Sequence, residues 1–204
     1  MYQKAKSLLR NIVYLVVIFF LVSCSNPVQD MQNHYNDGDY LQAANSAIKG
    51  MHDNNLRPKI KIFMEEYGEL LAKRSIYQGK ELMQDSLSEQ AIVYFQSLSK
   101  VLEEMEMLNF PIPTLSLTIS EANTLLEVSI RKFVEARFES GLAEYNGDLY
   151  RASIKSFLLV QKYVPTYPKL NVYINEATKK ARRYLSISPF YKPADPLTNI
   201  IANT

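Results

Sequence analysis

Cys24 is the chain's only thiol, and His34 and His52 are its only side chains that ordinarily titrate near neutral pH. The two imidazoles could share a metal with Asp30, Asp37 or Asp53, but their spacing matches no ligand motif, and both stand in polar surroundings near expected helix ends. Two clusters, Glu65-Glu66-Glu69 and Glu103-Glu104-Glu106, supply carboxylates of the kind that hydrolyse glycosides when held opposite one another across a cleft. Consecutive acids on a helix more often form its solvated face. No serine sits in a Gly-x-Ser-x-Gly elbow, and no glycine-rich loop is present to cradle phosphate. The expectation is a chain with no catalytic, cofactor-binding or metal-binding residue, which leaves the thiol.

The surroundings of that thiol define its chemistry. Lys4, Lys6 and Arg10 form a positive segment without acids, and Ile12 to Val22 then runs without a polar group except the Tyr14 hydroxyl. This is the layout of a secretory signal peptide; the apolar run is too short to span a membrane, which takes roughly 20 residues. Leu21-Val22-Ser23-Cys24 closes the segment and resembles the lipobox of bacterial lipoproteins, with an aliphatic residue three before a cysteine and a small one just before it. The resemblance implies cleavage of residues 1–23 and acylation of Cys24, whose thiol takes diacylglycerol as a thioether. Residues 24–27 then form the lipidated N-terminus and a short spacer, so membrane lipid is the first expected partner. In enteric lipoproteins an Asp after the cysteine retains the protein at the inner membrane; Ser25 stands there, which implies the outer membrane with the body facing the periplasm.

Bulk properties add little. The 23 Lys+Arg and 21 Asp+Glu become 20 against 21 once the three cations of the signal segment are set aside, so the basic pI of about 8.5 belongs largely to that segment. No nucleic-acid partner is implied. A single cysteine rules out an internal disulfide, and the remaining length suffices for one self-sufficient core.

Apolar residues recurring three and four apart predict helices nearly throughout. They are expected over 28–36, stopped by Asn36-Asp37-Gly38-Asp39; over 40–53, with Leu41, Ala44, Ile48 and Met51 on one face; and from Pro58 to about Gln84, carrying Ile62, Phe63, Leu70, Leu71, Tyr77 and Leu82. Another covers 88–108, with Ala91, Phe95, Leu98 and Leu102 spaced for burial. Phe110-Pro111-Ile112-Pro113 forms a connector, and Thr118 with Glu121 has capping-box spacing ahead of a helix to Asn146. Gly147-Asp148 turns the chain into 149–163, and Pro165 and Pro168 precede a helix over 169–185. From Ser186 a tail over 186–204 holds Pro189, Pro193 and Pro196 without periodicity, either strapped over the helices or disordered.

Within 28–185 a pattern repeats. Gly141, Ser153, Phe157, Val160 and Pro165 fall at the spacing of the tetratricopeptide repeat, in which a small residue in one helix lets its partner approach closely. Gly79, Ala91, Phe95 and Leu98 have the same offsets; Tyr35, Ala44 and Met51 fit a weaker copy, and Gly38-Asp39-Tyr40 and Gly147-Asp148-Leu149 resemble the turn between paired repeat helices. The resemblance implies an all-α, tetratricopeptide-like stack of helical hairpins, a short α-solenoid. Ala44 to Ala91 is 47 residues and Ala91 to Ser153 is 62, against about 34 in that family, and the chain has no tryptophan. An irregular helical bundle unrelated to the family is the other reading of the same helices.

Two features suit binding. Lys179, Lys180, Arg182 and Arg183, extended by Lys169 and Lys192, could meet anionic headgroups, a glycan or an acidic partner, or simply be a solvated helix end. Of fourteen tyrosines, Tyr145, Tyr150, Tyr163, Tyr167, Tyr173 and Tyr184 cluster late, in a residue type that buries well at interfaces. In class the chain resembles small helical lipoproteins of Gram-negative envelopes, such as those of the β-barrel assembly machinery, type IV pilus pilotins and adaptors of peptidoglycan hydrolases. The resemblance implies a non-catalytic adaptor or scaffold for one or more envelope proteins, without a small-molecule substrate. The alternatives are a cell-wall glycan hydrolase using a carboxylate pair and a surface-exposed lipoprotein that binds host or glycan.

Overall fold

Asn26 opens the first helix, its side-chain oxygen accepting the Val28 amide at 3.1 Å while Pro27 fills the start of the first turn. The computed structural model describes residues 26–86 and 89–187; Cys24, the segment before it and the prolines of the tail lie outside the described residues. Among the described residues there are seven helices and no strand: α1 (Pro27–Asn36), α2 (Tyr40–Met51), α3 (Arg57–Leu82), α4 (Gln90–Met107), α5 (Leu115–Asn146), α6 (Tyr150–Tyr163) and α7 (Leu170–Ile187). The all-α expectation holds.

The chain gathers in two compact units. One runs through Gln84 and resumes over Gln90–Glu127; the other takes Asp85–Glu89 and the chain from Val128. In the first, α2 packs on α1 and α3, and α4 on α2 and α3. Met31, Ala44, Ile48, Met64, Leu71, Phe95, Leu98 and Leu102 make its interior. In the second, α6 packs with α7, and Phe133, Phe157, Val160, Leu170 and Ala177 are buried.

The expected glycine and phenylalanine pairs meet. A Cβ placed on Gly79 would lie 2.3 Å from the Phe95 ring, and one on Gly141 would lie 2.6 Å from the Phe157 ring. Burying a phenylalanine side chain is worth about 1.5–3 kcal/mol, and a glycine inside a helix costs about 0.5–1, so the exchange favours the ring. Both rings are fully buried, as are Leu98 and Val160 three residues beyond them.

The turn after α1 has a counterpart after α5. Asp37, Gly38 and Asp39 donate to the carbonyls of Asn33, Tyr35 and His34; Gly147, Asp148 and Leu149 donate to those of Ala143, Tyr145 and Glu144, the same offsets. Gly38 has φ +78° and Asp148 φ +61°, so these two are equivalent, and Gly147 corresponds to Asp37. The sequence had paired Gly38 with Gly147. The hydrogen bonds shift the correspondence by one residue: Ala43, rather than Ala44, stands where Ser153 stands, and all three are buried. By the same register Met31 occupies the place of Gly141 and Ala47 that of Phe157, all buried; the bulk has passed from the second helix to the first.

One expectation is corrected. Thr118 and Glu121 do not cap α5, which begins at Leu115. Thr118 is inside the helix, its hydroxyl donating to the Thr114 carbonyl at 3.0 Å, and Glu121 pairs with Lys80 at 2.8 Å. Burial of Phe110, Ile112 and Leu115, with Ile112 pressed against Gly68, draws the helix start back to the connector. On α3 the apolar residues divide: Leu71 is fully buried, but Ile62, Leu70 and Tyr77 face solvent.

Candidate protein-interaction site

In the first unit α1 and α3 enclose an open groove of about 600 Å3. From α1 come Val28, Gln29, Gln32, Tyr35 and Asn36; from α3 come Lys59, Ile62, Phe63, Glu66 and Tyr67. Positions three, four and seven apart share a helix face, which is why each helix lends one stripe. The floor is aromatic: Tyr35 meets Phe63 edge-on at 5.5 Å and Tyr67 at 5.4 Å, Phe63 lies 4.9 Å from Tyr67, and Tyr40 adds a further edge contact to Tyr35 at 5.7 Å. Burial pushes the Tyr35 hydroxyl above its ordinary pKa, and hydrogen bonding to Glu66 does the same for Tyr67, so both phenols stay protonated as donors at neutral pH. Amides at the rim (Gln29, Gln32, Asn36) and one charge of each sign, Lys59 and Glu66, complete a lining suited to an apolar side chain with polar backbone beside it.

The late tyrosines named from the sequence occupy the second unit, mostly as packing. Phe138 touches Phe157, Tyr167 and Tyr173 at 5.5, 4.7 and 5.8 Å, Phe157 stacks on Tyr173 at 5.5 Å, and Tyr163 meets Phe133 at 5.4 Å. Tyr145 and Tyr150 repeat the edge contact of Tyr35 and Tyr40, at 5.6 Å. The side chain of Tyr184 lies outside the described ones.

The basic cluster is divided by its surroundings. Lys180 sits over the rings of Tyr145 and Tyr150, at 4.3 and 5.1 Å, and hydrogen bonding to Tyr145 raises its pKa. Tyr145 in turn donates to Glu176 at 2.9 Å, and Tyr150 to Asp148. Lys180 is therefore engaged within the unit, while Lys169, Lys179 and Arg182 are exposed; the side chains of Arg183 and Lys192 are outside the described set.

His34 lies in the last turn of α1, and His52 ends α2 with its Nε2 3.9 Å from a Glu104 carboxylate oxygen. The two helices form a hairpin through Gly38, so the imidazoles stand at opposite ends, about 18 Å apart along α2. Among the described residues no three His, Cys, Asp or Glu side chains are grouped to hold a metal. The carboxylate clusters are on open helix faces: Glu69 pairs with Lys73 at 2.7 Å, Glu106 accepts the Ser116 hydroxyl, and only Glu66 of the six borders the groove. No described helix is long and apolar enough to cross a membrane.

The groove was not anticipated from sequence. Phe63 and Tyr67 at i and i+4 were its signal, but pairing them with Tyr35 requires knowing that α1 lies beside α3. No protein-family profile, no curated protein and no solved structure matches the chain.

Proposed function

We propose that the chain is an envelope lipoprotein, anchored through acylated Cys24 to the outer membrane and facing the periplasm, whose tetratricopeptide-like helix pairs serve as a non-catalytic adaptor for other envelope proteins. The observation that carries the reading is the repeated hairpin packing, in which Gly79 admits Phe95 and Gly141 admits Phe157 at the same sixteen-residue offset. That is the small-to-aromatic device by which repeat helices approach closely enough to stack and present binding surface. The aromatic groove between α1 and α3 supports a docking role, because rigid rings supply contact area at low entropic cost and the rim amides can pair with a ligand's backbone.

The anchor and the groove are close in the chain. Cys24 precedes Pro27 by three residues, which span at most about 10 Å, so an acylated Cys24 would keep the α1 hairpin at the membrane surface. Confinement there raises effective concentration toward membrane-bound partners without any new contact. A hydrolase would need two opposed acids in one cleft, and the groove draws only Glu66 from the two clusters.

Two measurements test the parts separately. Mass spectrometry of the mature N-terminus is expected to find acylated Cys24 as the first residue; a bare thiol, or residues 1–23 still attached, removes the anchor. A photo-crosslinking side chain at Gln32 or Tyr67, activated in intact cells, is expected to capture one or a few envelope proteins. Recovery of only lipid and the protein itself would remove the adaptor.

A further inference from the structure

The outer face of α3 carries three large apolar residues that its packing leaves in solvent: Ile62 is 64% exposed, Leu70 46% and Tyr77 57%. With Glu66 and Lys73, both exposed, they fall at intervals of four, four, three and four residues, which at 3.6 residues per turn confines them to a stripe about 80° wide and about 22 Å long. The stripe lies opposite the buried face of Ile60, Met64, Leu71 and Ser75. Single exposed apolar residues need no explanation, but an ordered row of three interleaved with charges of opposite sign does.

The row runs apolar, acid, apolar, base, apolar, and reversing it keeps the apolar positions while exchanging acid for base. We propose that this ridge is a self-association surface whose occupant is α3 of a second copy of the chain, antiparallel about a two-fold axis beside Leu70. In that register Ile62 faces Tyr77 of the second copy, the two Leu70 side chains meet near the axis, and Glu66 of each copy faces Lys73 of the other. In these pairs apolar meets apolar and acid meets base, the self-complementarity that a two-fold contact demands. Lys73 already bonds Glu69 at 2.7 Å, but an exposed pair of this kind is weak and leaves the ammonium able to meet a second carboxylate. The register also sets Lys59 against Lys80, which pairs with Glu121 at 2.8 Å, and brings Glu69 of each copy beside the axis, where each pairs with its own Lys73; these like charges weaken the contact. A ridge of this width falls short of the roughly 800 Å2 per partner of a stable interface, so the dimer is a weak one, formed and broken with concentration. It does not rest on acylation of Cys24, and because Ile62 and Glu66 also line the groove between α1 and α3, a second copy on the ridge and a partner in the groove would compete.

The test uses the full chain in intact cells with a short bis-maleimide, the parent, whose sole thiol is Cys24, serving as background. Leu70→Cys is expected to give at least tenfold more crosslinked dimer than Gln96→Cys on the exposed side of α4, and Ile62→Cys to crosslink with co-expressed Tyr77→Cys. For the full chain purified in detergent micelles, Glu66→Lys or Lys73→Glu alone should each weaken self-association about tenfold. The double exchange should restore it, and so should mixing the two single variants, since each then supplies what the other lacks. Crosslinking at Leu70 no higher than at Gln96, capture there of a different protein instead, or a double exchange no better than the single ones would each overturn the proposal.

Discussion

Gly79 and Gly141 are helical positions where alanine would ordinarily stabilise by about 1 kcal/mol through propensity alone. Here the added methyl would lie 2.3 and 2.6 Å from the rings of Phe95 and Phe157, which are fully buried and have no room to retreat. Overpacking of this kind costs about 1–3 kcal/mol, so Gly79→Ala and Gly141→Ala should each lower the urea midpoint despite the better propensity. Glycine at both positions and the phenylalanine sixteen residues on were visible in the sequence because the device is local to a hairpin. Tyr94 was not, since its hydroxyl reaches the Ser75 carbonyl at 2.9 Å and the Gln78 side chain at 3.2 Å, partners that only the packing of α4 on α3 supplies. Burial pushes its pKa up to about 12, above the unfolded value near 10. The folded state then holds this proton more tightly than the unfolded one; the stabilisation is complete below pH 10 and is lost as pH rises from 10 through 12. Tyr94→Phe should remove that part of the alkaline loss in denaturant titrations at successive pH values, at a cost of about 1 kcal/mol at neutral pH for the lost hydrogen bond.

At the scale of elements, the boundaries followed from local punctuation: α6 was expected over 149–163 and is Tyr150–Tyr163, and Pro165 and Pro168 separate it from α7. What local signals do not convey is which side of a long helix faces inward. Ile62, Leu70 and Tyr77 mark a helix as well as Ile60, Met64 and Leu71 do, and only the positions of α2 and α4 decide between the two sets. The turns show a similar limit, because aligning glycine with glycine gave the wrong register where geometry equates Gly38 with Asp148. Gly38 is left-handed with open space around it, so Gly38→Ala should cost about 1–2 kcal/mol through backbone strain alone, and Gly38→Asn distinctly less, because asparagine tolerates that conformation. Equal losses in thermal unfolding would mean that the turn relaxes out of the left-handed region. The start of α3 runs against its own dipole: Arg57, Lys59 and Lys61 stand in its first residues, with no acid in the first turn and no side-chain cap. Lys59→Glu should therefore raise stability by about 0.3–1 kcal/mol, an effect that shrinks as salt is added.

At the scale of the whole chain, the two units draw on different residues. The interior cluster that contains Phe95 lies between Met31 and Ala122, and Phe157 belongs to the residues beyond Val128. Sequence patterning registers hairpins but not where their contacts close on themselves; α5, a single helix from Leu115 to Asn146, carries the boundary at Glu127. Removal of a fully buried phenylalanine costs about 3–5 kcal/mol, enough to open most of one unit's marginal stability. Phe157→Ala should therefore strip hydrogen-exchange protection from α6 and α7 while the amides of α2 and α3 keep theirs, and Phe95→Ala should do the reverse. Equal loss of protection in both units from either substitution would show that they unfold as one cooperative body, and the boundary within α5 would then have no thermodynamic meaning.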